Sequence, residues 1–490
     1  MRRHHLTLAI ACTLGACAAI GPDYQRPSVA LPPAWKAPAP SAAAAASPVG
    51  SAELVNTAWW QAFGDPQLDA LIRTALDENK DLLIAAYRID QFDAQLQVTL
   101  SAAQPRANAG VQRSRDTLSQ NRQVPLAAGV QPVGNSYEVF GAVAWELDFW
   151  GKLRRSNEAA IAELMATEEN RRSLVLTLVA EVAATYVRLL GLDRDLDILQ
   201  RTAQTRRESL DLQRKKFEGG GTSELAMLQA RAELEDSMAD VLVKESEIAL
   251  LENALSALIG RNPQAVVRGK PLEALNLPQI PGGLPADLLA QRPDVRKAER
   301  ELVAANARIG VAQAQYLPSI ALTAQSGFAS ADLTKLLQLS SNFGSFGVTL
   351  LGPIFDAGRI AGQVRETEAI QRQKATAYLL SVQSALRDVE DALISRRKTS
   401  ERSEVRERQI AALRERRDSA RRRYDGGRSN YLDVLDAERS LLQGELQHNQ
   451  TRRDQHLALI AVYKAMGGGW TVADYIPAKT ALTKRADHDE

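Results

Sequence analysis

The chain has 490 residues, of which 45% are hydrophobic, 5% aromatic and 24% charged, and its formal net charge is +1. So balanced a charge carries no electrostatic footprint for nucleic acid, and the length allows about two to four ordinary domains. The Ala-, Leu-, Arg-, Glu- and Gln-rich middle has the composition of long helices rather than of a compact mixed core, with mixed-sign charges spread as on solvated helix faces.

The basic Arg2, Arg3, His4 and His5 precede the apolar Leu6–Leu14, the pattern of a secretory signal over residues 1–16. Removing it takes two of the 60 basic residues and none of the 59 acids, so the net charge passes from +1 to −1. Cys12 and Cys17 are the only cysteines, which leaves the body without a disulfide framework or a Cys-based metal site. His448 and His456 are eight residues apart, not the i, i+4 spacing of a helical metal pair, and read as part of a solvated helix face. No metal, cofactor or catalytic constellation is expected. No phosphate loop or nucleophile elbow appears, and the glycine runs at 219–221, 426–427 and 467–469 fall at helix ends. After the signal no run of about 18 apolar residues suggests a transmembrane helix.

Residues 17–64 form a proline-punctuated arm and linker that re-enters an ordered body at Trp59, Trp60 and Phe63. Asp65-Pro66 then starts a helix running to about Ala103, with a break near Asn79. Strands are expected at about 106–117 and 136–150. In the second, Tyr137, Val139, Val143, Trp145, Leu147 and Phe149 share one face, and Glu138, Glu146 and Asp148 the other. That alternation suits an outer-membrane barrel strand or the solvated side of a sandwich. A long helix follows over 152–217, which at 1.5 Å per residue is roughly 100 Å. It stops at a glycine turn, 218–223, and a helix over 224–260 and an irregular connector complete a unit spanning 65–283.

Residues 284–469 repeat this plan: a helix, strands at about 319–329 and 343–355, a long helix over 358–424, a turn at 425–430 and a helix over 431–466. Residues 470–490 form a polar tail. Phe217, Gly220, Leu225, Leu228 and Ala230 correspond to Tyr424, Gly427, Leu432, Leu435 and Ala437, each 207 positions on. Such duplication indicates quasi-symmetric architecture. Gly220, Gly221, Gly426 and Gly427 supply the left-handed conformation of a helix stop, and Ser429 or Asn430 can cap the helix that follows. The elements read as mainly α with two internal repeats, their four strands belonging to a sandwich or to a transmembrane β-barrel. Four strands cannot close a barrel, since about eight is the smallest number that does, so a barrel requires several chains.

Leu14-Gly15-Ala16-Cys17 resembles a bacterial lipobox with Cys17 as the lipidated residue, and Ala18 rather than Asp behind it is, in that pattern, the outer-membrane form. With Gly21-Pro22-Asp23-Tyr24, Arg26-Pro27, Trp59-Trp60, the stretch Gly352–Arg359, Tyr424–Arg439 and Gly467-Gly468-Gly469-Trp470, the chain resembles the TolC-like outer-membrane efflux channels, in particular the lipoprotein branch serving resistance–nodulation–division (RND) multidrug pumps. The resemblance covers essentially the whole mature chain. It implies a homotrimer: a 12-stranded barrel in the outer membrane, four strands from each chain, continued by a long α-helical barrel in the periplasm. The connectors and the 470–490 tail would form an equatorial belt, and the glycine turns the periplasmic tips. The protein would be no enzyme. It would passively conduct drugs or other small compounds delivered by an inner-membrane RND-type pump through a periplasmic membrane-fusion adaptor, with outer-membrane lipid around the barrel and at Cys17.

In such relatives, aspartates after the second tip turn form the narrowest rings; the matching residues are Asp433 and Asp436, with Ala226 and Gln229 at those places in the first repeat. Six carboxylates near one axis would repel anions and attract cations. The plainer reading is helix chemistry: Asp433 favoured in a first turn, Asp436 paired with Arg439. Tyr424 resembles a latch residue of the closed tip, where Phe217 lacks the hydroxyl. Some relatives carry an acid or an arginine where Ser429 stands. Arg428 and Arg421–Arg423 offer other ion pairs or an adaptor contact. The competing function is a pore-free periplasmic coiled-coil adaptor or scaffold lipoprotein, which the long hairpins fit and the four amphipathic strands do not.

Overall fold

A computed structural model of the chain describes residues 19–30, 58–119, 131–278 and 292–469. Cys17 and the 470–490 tail lie outside these. The helices are α1 (Pro66–Glu78), α2 (Lys80–Ser101), α3 (Lys152–Glu218), α4 (Glu224–Leu258), α5 (Pro293–Ala314), α6 (Arg359–Asp425) and α7 (Tyr431–Ala465). The strands are β1 (Arg106–Thr117), β2 (Val133–Leu147), β3 (Ser319–Ser330) and β4 (Asn342–Leu351). The duplication is metrical: α3 and α6 have 67 residues each, α4 and α7 have 35 each.

Contacts group the described residues into two compact units, one drawn from Met1–Ser28, Arg88–Thr167 and Lys297–Leu379, the other from Val29–Tyr87, Glu168–Arg296 and Leu380–Glu490. The first holds an antiparallel sheet in the order β1-β2-β3-β4. Its register joins one kind of side chain across all four strands. Val143 stands opposite Ala107 and Ala324, Trp145 opposite Leu322, Leu322 opposite Val348, and Ile320 opposite Leu350. The alternate residues make the other face more polar: Gln112 stands opposite Glu138, and Gln325, on the same face further along β3, donates to Glu138 at 3.2 Å. Phe140 on that face lies over Gly110 and Gly327, and a Cβ on Gly110 would stand 2.8 Å from its ring. Because successive side chains alternate across a strand, this register gives the sheet one apolar and one polar side.

The strand ends differ from the sequence expectation. β2 starts at Val133 and stops at Leu147, so Asp148 leaves the polar face: its carboxylate accepts from the Leu153 N–H at 3.1 Å and the Arg154 N–H at 2.9 Å and so caps α3. β4 ends at Leu351, before Gly352 and Pro353, the second of which has no N–H for a ladder. The arm lies against the body over residues 20–26. Ile20 N–H donates to the Trp150 carbonyl at 3.0 Å. Buried Arg155 donates to the carbonyls of Ile20 and Gly21, both at 3.2 Å, and to Asp23 at 2.7 Å. Tyr24 and Arg26 both donate to Glu299.

The second unit carries the main core. Trp59 stacks on Tyr463 at 5.1 Å and meets Trp60 edge-on, over Leu68 and Ile72 of α1 and Val182, Tyr186 and Leu189 of α3. Within α3 one 18-residue window, missed in the sequence reading, is apolar enough to cross a membrane; 72% of it is buried inside the protein. Asp65 is fully buried yet satisfied, accepting from Gln67 N–H, Lys270 N–H and the Tyr186 hydroxyl. The break between α1 and α2 is made by Asn79, which caps α2 through Asp81 N–H and also donates to the last-turn carbonyl of Leu258. Arg292, 213 positions on, repeats that second contact by donating to the Ala465 carbonyl at 2.9 Å.

Candidate functional site

The tip lies in the second unit. Each long helix stops in the same way. Gly221 N–H reaches back to the Lys216 carbonyl at 2.7 Å and Arg428 N–H to that of Arg423 at 2.8 Å, while Gly220 and Gly427 take φ of 73° and 67°. These are bonds of a Schellman stop, which needs a left-handed residue. Ser223 caps α4 through Ala226 N–H, and Asn430, not Ser429, caps α7 through Asp433 N–H at 3.2 Å. The Ser429 hydroxyl is buried and has no hydrogen-bond partner among the described residues.

Between the turns the two hairpins, α3/α4 and α6/α7, meet in a small apolar cluster of Ala230, Tyr431, Val434 and Leu435, with Leu210, Ala226, Ala420 and Tyr424 around it. Tyr424 closes it from the tip side. Its hydroxyl accepts from Gln213 Nε2 at 2.9 Å and Lys216 Nζ at 3.2 Å, and the Lys216 ammonium sits 4.4 Å from its ring centre. The Tyr424 ring is also 5.6 Å from that of Tyr431, whose phenol burial and the nearby Glu438 push up to about 12. Sequence position therefore identified Tyr424 but not its partners. Gln213 is fully buried and Lys216 half-buried, and both belong to the first hairpin.

Asp433 and Asp436 lie one turn apart on α7 and both are exposed. The expected pairing of Asp436 with Arg439 does not form. Asp436 pairs with Arg416 of α6 within its own hairpin, and Arg439 pairs instead with Glu233 of α4. The reason is packing. Glu233 is buried and its carboxylate already lies 3.0 Å from Arg206, so it offers a desolvated anion, whereas Asp436 is open to water. Sequence reading missed Arg206 and Glu233. Comparison of the repeats held the signal, since Leu413 and Ser440 occupy those places in the second copy. Arg428 and Gly426 are exposed at the turn. Among the described residues no group of three or more His, Cys, Asp or Glu side chains is placed to hold a metal ion.

A family profile described as "Outer membrane efflux protein" matches residues 71–261 and 284–468. The toluene efflux pump outer membrane protein TtgF of Pseudomonas putida is 35% identical over 485 residues, covering 96% of this chain and 98% of that protein. The cation efflux system protein CusC of Escherichia coli is 33% identical over 471 residues, covering 95% and 98%. The open-state crystal structure of the MtrE outer membrane channel of Neisseria gonorrhoeae superposes with a TM-score of 0.80 at 29% identity, over 92% of this chain and 99% of that one. With two 67-residue helices, a four-stranded amphipathic sheet and a profile match on both halves, the chain belongs to the family of outer membrane efflux proteins.

Proposed function

We propose that three copies of this chain form one conduit, acylated at Cys17, that passes small compounds across the outer membrane after an inner-membrane RND-type pump and a periplasmic adaptor deliver them. The observation that carries the reading is the sheet. It has one apolar side and one polar side, and its edge strands β1 and β4 have no further neighbour among the described residues. In lipid every backbone polar group needs a partner, so an amphipathic open sheet becomes stable there only by closing with other sheets, and three such sheets supply twelve strands. A pore-free periplasmic scaffold has no use for such a surface. The match of this chain to both a toluene and a cation efflux component supports selection of the exported compound by the pump rather than by the tunnel wall.

At the tip, Asp433 and Asp436 would form the inner acidic rings and the first hairpin their outer support, because only the second copy carries the acids. Reconstitution in planar bilayers tests both parts. The purified protein is expected to give cation-preferring single-channel currents, and Asp433→Ala with Asp436→Ala to abolish the preference. Absence of current would overturn the conduit, and unchanged selectivity in the variant would overturn the rings.

A further inference from the structure

Above the tip, the two hairpins of one chain are joined a second time, through charge. Buried Glu233 of α4 holds Arg206 of α3 at 3.0 Å on one side and Arg439 of α7 on the other. Arg206 is itself buried and also donates to the Glu233 carbonyl at 2.8 Å and the Ser237 hydroxyl at 2.6 Å. Arg206, Glu233 and Ser237 all belong to the first hairpin, so Arg439 makes the ionic crossing to the second. Half-buried Glu438 beside it, facing Arg421, Arg206 and Arg417, has its carboxyl raised by burial.

The two junctions differ in what separation would cost. At the tip, Tyr424 gives up contacts to a half-buried lysine and an amide, groups that water can serve once the tip opens. At Glu233, separation takes an exposed guanidinium from a buried carboxylate that keeps Arg206, the loss of a charge-assisted contact rather than of neutral hydrogen bonds. We propose that the Glu233–Arg439 pair is the pivot of the tip: the hairpins part below it, toward the glycine turns, and stay joined at its level. This rests on the gating part of the proposed function. It adds Arg439 as a positioning residue whose loss would move the hinge up the helices.

Spin labels on introduced cysteines of the full-length protein test it, with labelled chains diluted among unlabelled ones so that distances fall within one chain. One pair, Glu218→Cys with Asp425→Cys, reports the tip; the other, Glu235→Cys with Gln443→Cys, reports the level of Glu233; all four are exposed. Tyr424→Phe with Gln213→Ala should lengthen the tip distance and leave the upper distance unchanged. Adding Arg439→Gln should lengthen the upper distance as well, and Arg439→Lys should restore it. Arg439 is 64% exposed and its removal leaves Glu233 with Arg206, so the fold tolerates the change. The pivot is overturned if the tip distance stays fixed in the latch variant, if both distances lengthen with Arg439 intact, or if Arg439→Gln leaves the upper distance unchanged. Hairpin separation without any rise in single-channel current would overturn the gating reading and support the pivot.

Discussion

Tyr424 shows what one hydroxyl can contribute. Its oxygen accepts from Gln213 Nε2 and Lys216 Nζ, and its O–H donates back to Gln213 Oε1 at 3.4 Å. A hydrogen bond of this kind is worth about 1 kcal/mol net, about fivefold in a two-state equilibrium. Tyr424→Phe keeps the ring against Lys216 and Tyr431 and removes only the hydroxyl. The closed tip should therefore open at least about fivefold more often per chain, read as the open probability of single channels at fixed voltage; an unchanged open probability would remove Tyr424 from the latch. From sequence, Tyr424 is visible as the hydroxyl-bearing member of a pair with Phe217. Its partners are invisible because Gln213 and Lys216 lie on another helix, with no local pattern tying them to it.

At the scale of the element, the short helix α7 combines a tip function with a core function along its 35 residues. Its first turns carry Asn430, Asp433 and Asp436, and its last turns enter the aromatic core through His456, Leu459 and Tyr463. His456 is 4% exposed, packs 6.1 Å from the Phe63 ring centre and lies 3.0 Å from the Arg452 carbonyl. Burial first, with Arg452 and Arg396 adding to it, lowers its pKa below the ordinary 6.5, against the pull of the Arg452 and Leu275 carbonyls. A histidine held neutral in the fold contributes stability that is present above about pH 6.5 and lost as pH falls through the lower folded value, because the unfolded chain then binds the proton more readily. Each tenfold difference in proton affinity is about 1.4 kcal/mol. The thermal midpoint of the wild type should fall more steeply from pH 7 to pH 5 than that of His456→Gln; parallel curves would exclude His456 as the cause. The sequence placed His456 with His448 on a solvated helix face; it turns inward instead, against Phe63.

At the scale of the whole molecule, duplication dominates. The same position, Asn79 in one copy and Arg292 in the other, donates to the last turn of the neighbouring short helix, so chemically different side chains do one job. The copies diverge where charge is buried: Arg206 and Glu233 have no counterparts in the second repeat. If the open edges of the sheet close with other copies, an unboiled outer-membrane sample should migrate in a gel as an oligomer and fall to the single-chain position on boiling. A single-chain band under both conditions would overturn the assembly.

Much of the fold was legible because it is written in short-range terms. A glycine with positive φ, a capping Asn, a proline that ends a strand and an alternation of apolar residues each act within a turn or two of their own position. Repetition over 207 residues made those local signals mutually reinforcing. Tertiary structure alone decided which long side chains meet. Arg439 had Asp436 within one turn and chose Glu233, because a buried carboxylate, stripped of water, attracts a guanidinium more strongly than one that water still solvates. That choice is a property of burial, and burial is set by how the hairpins pack.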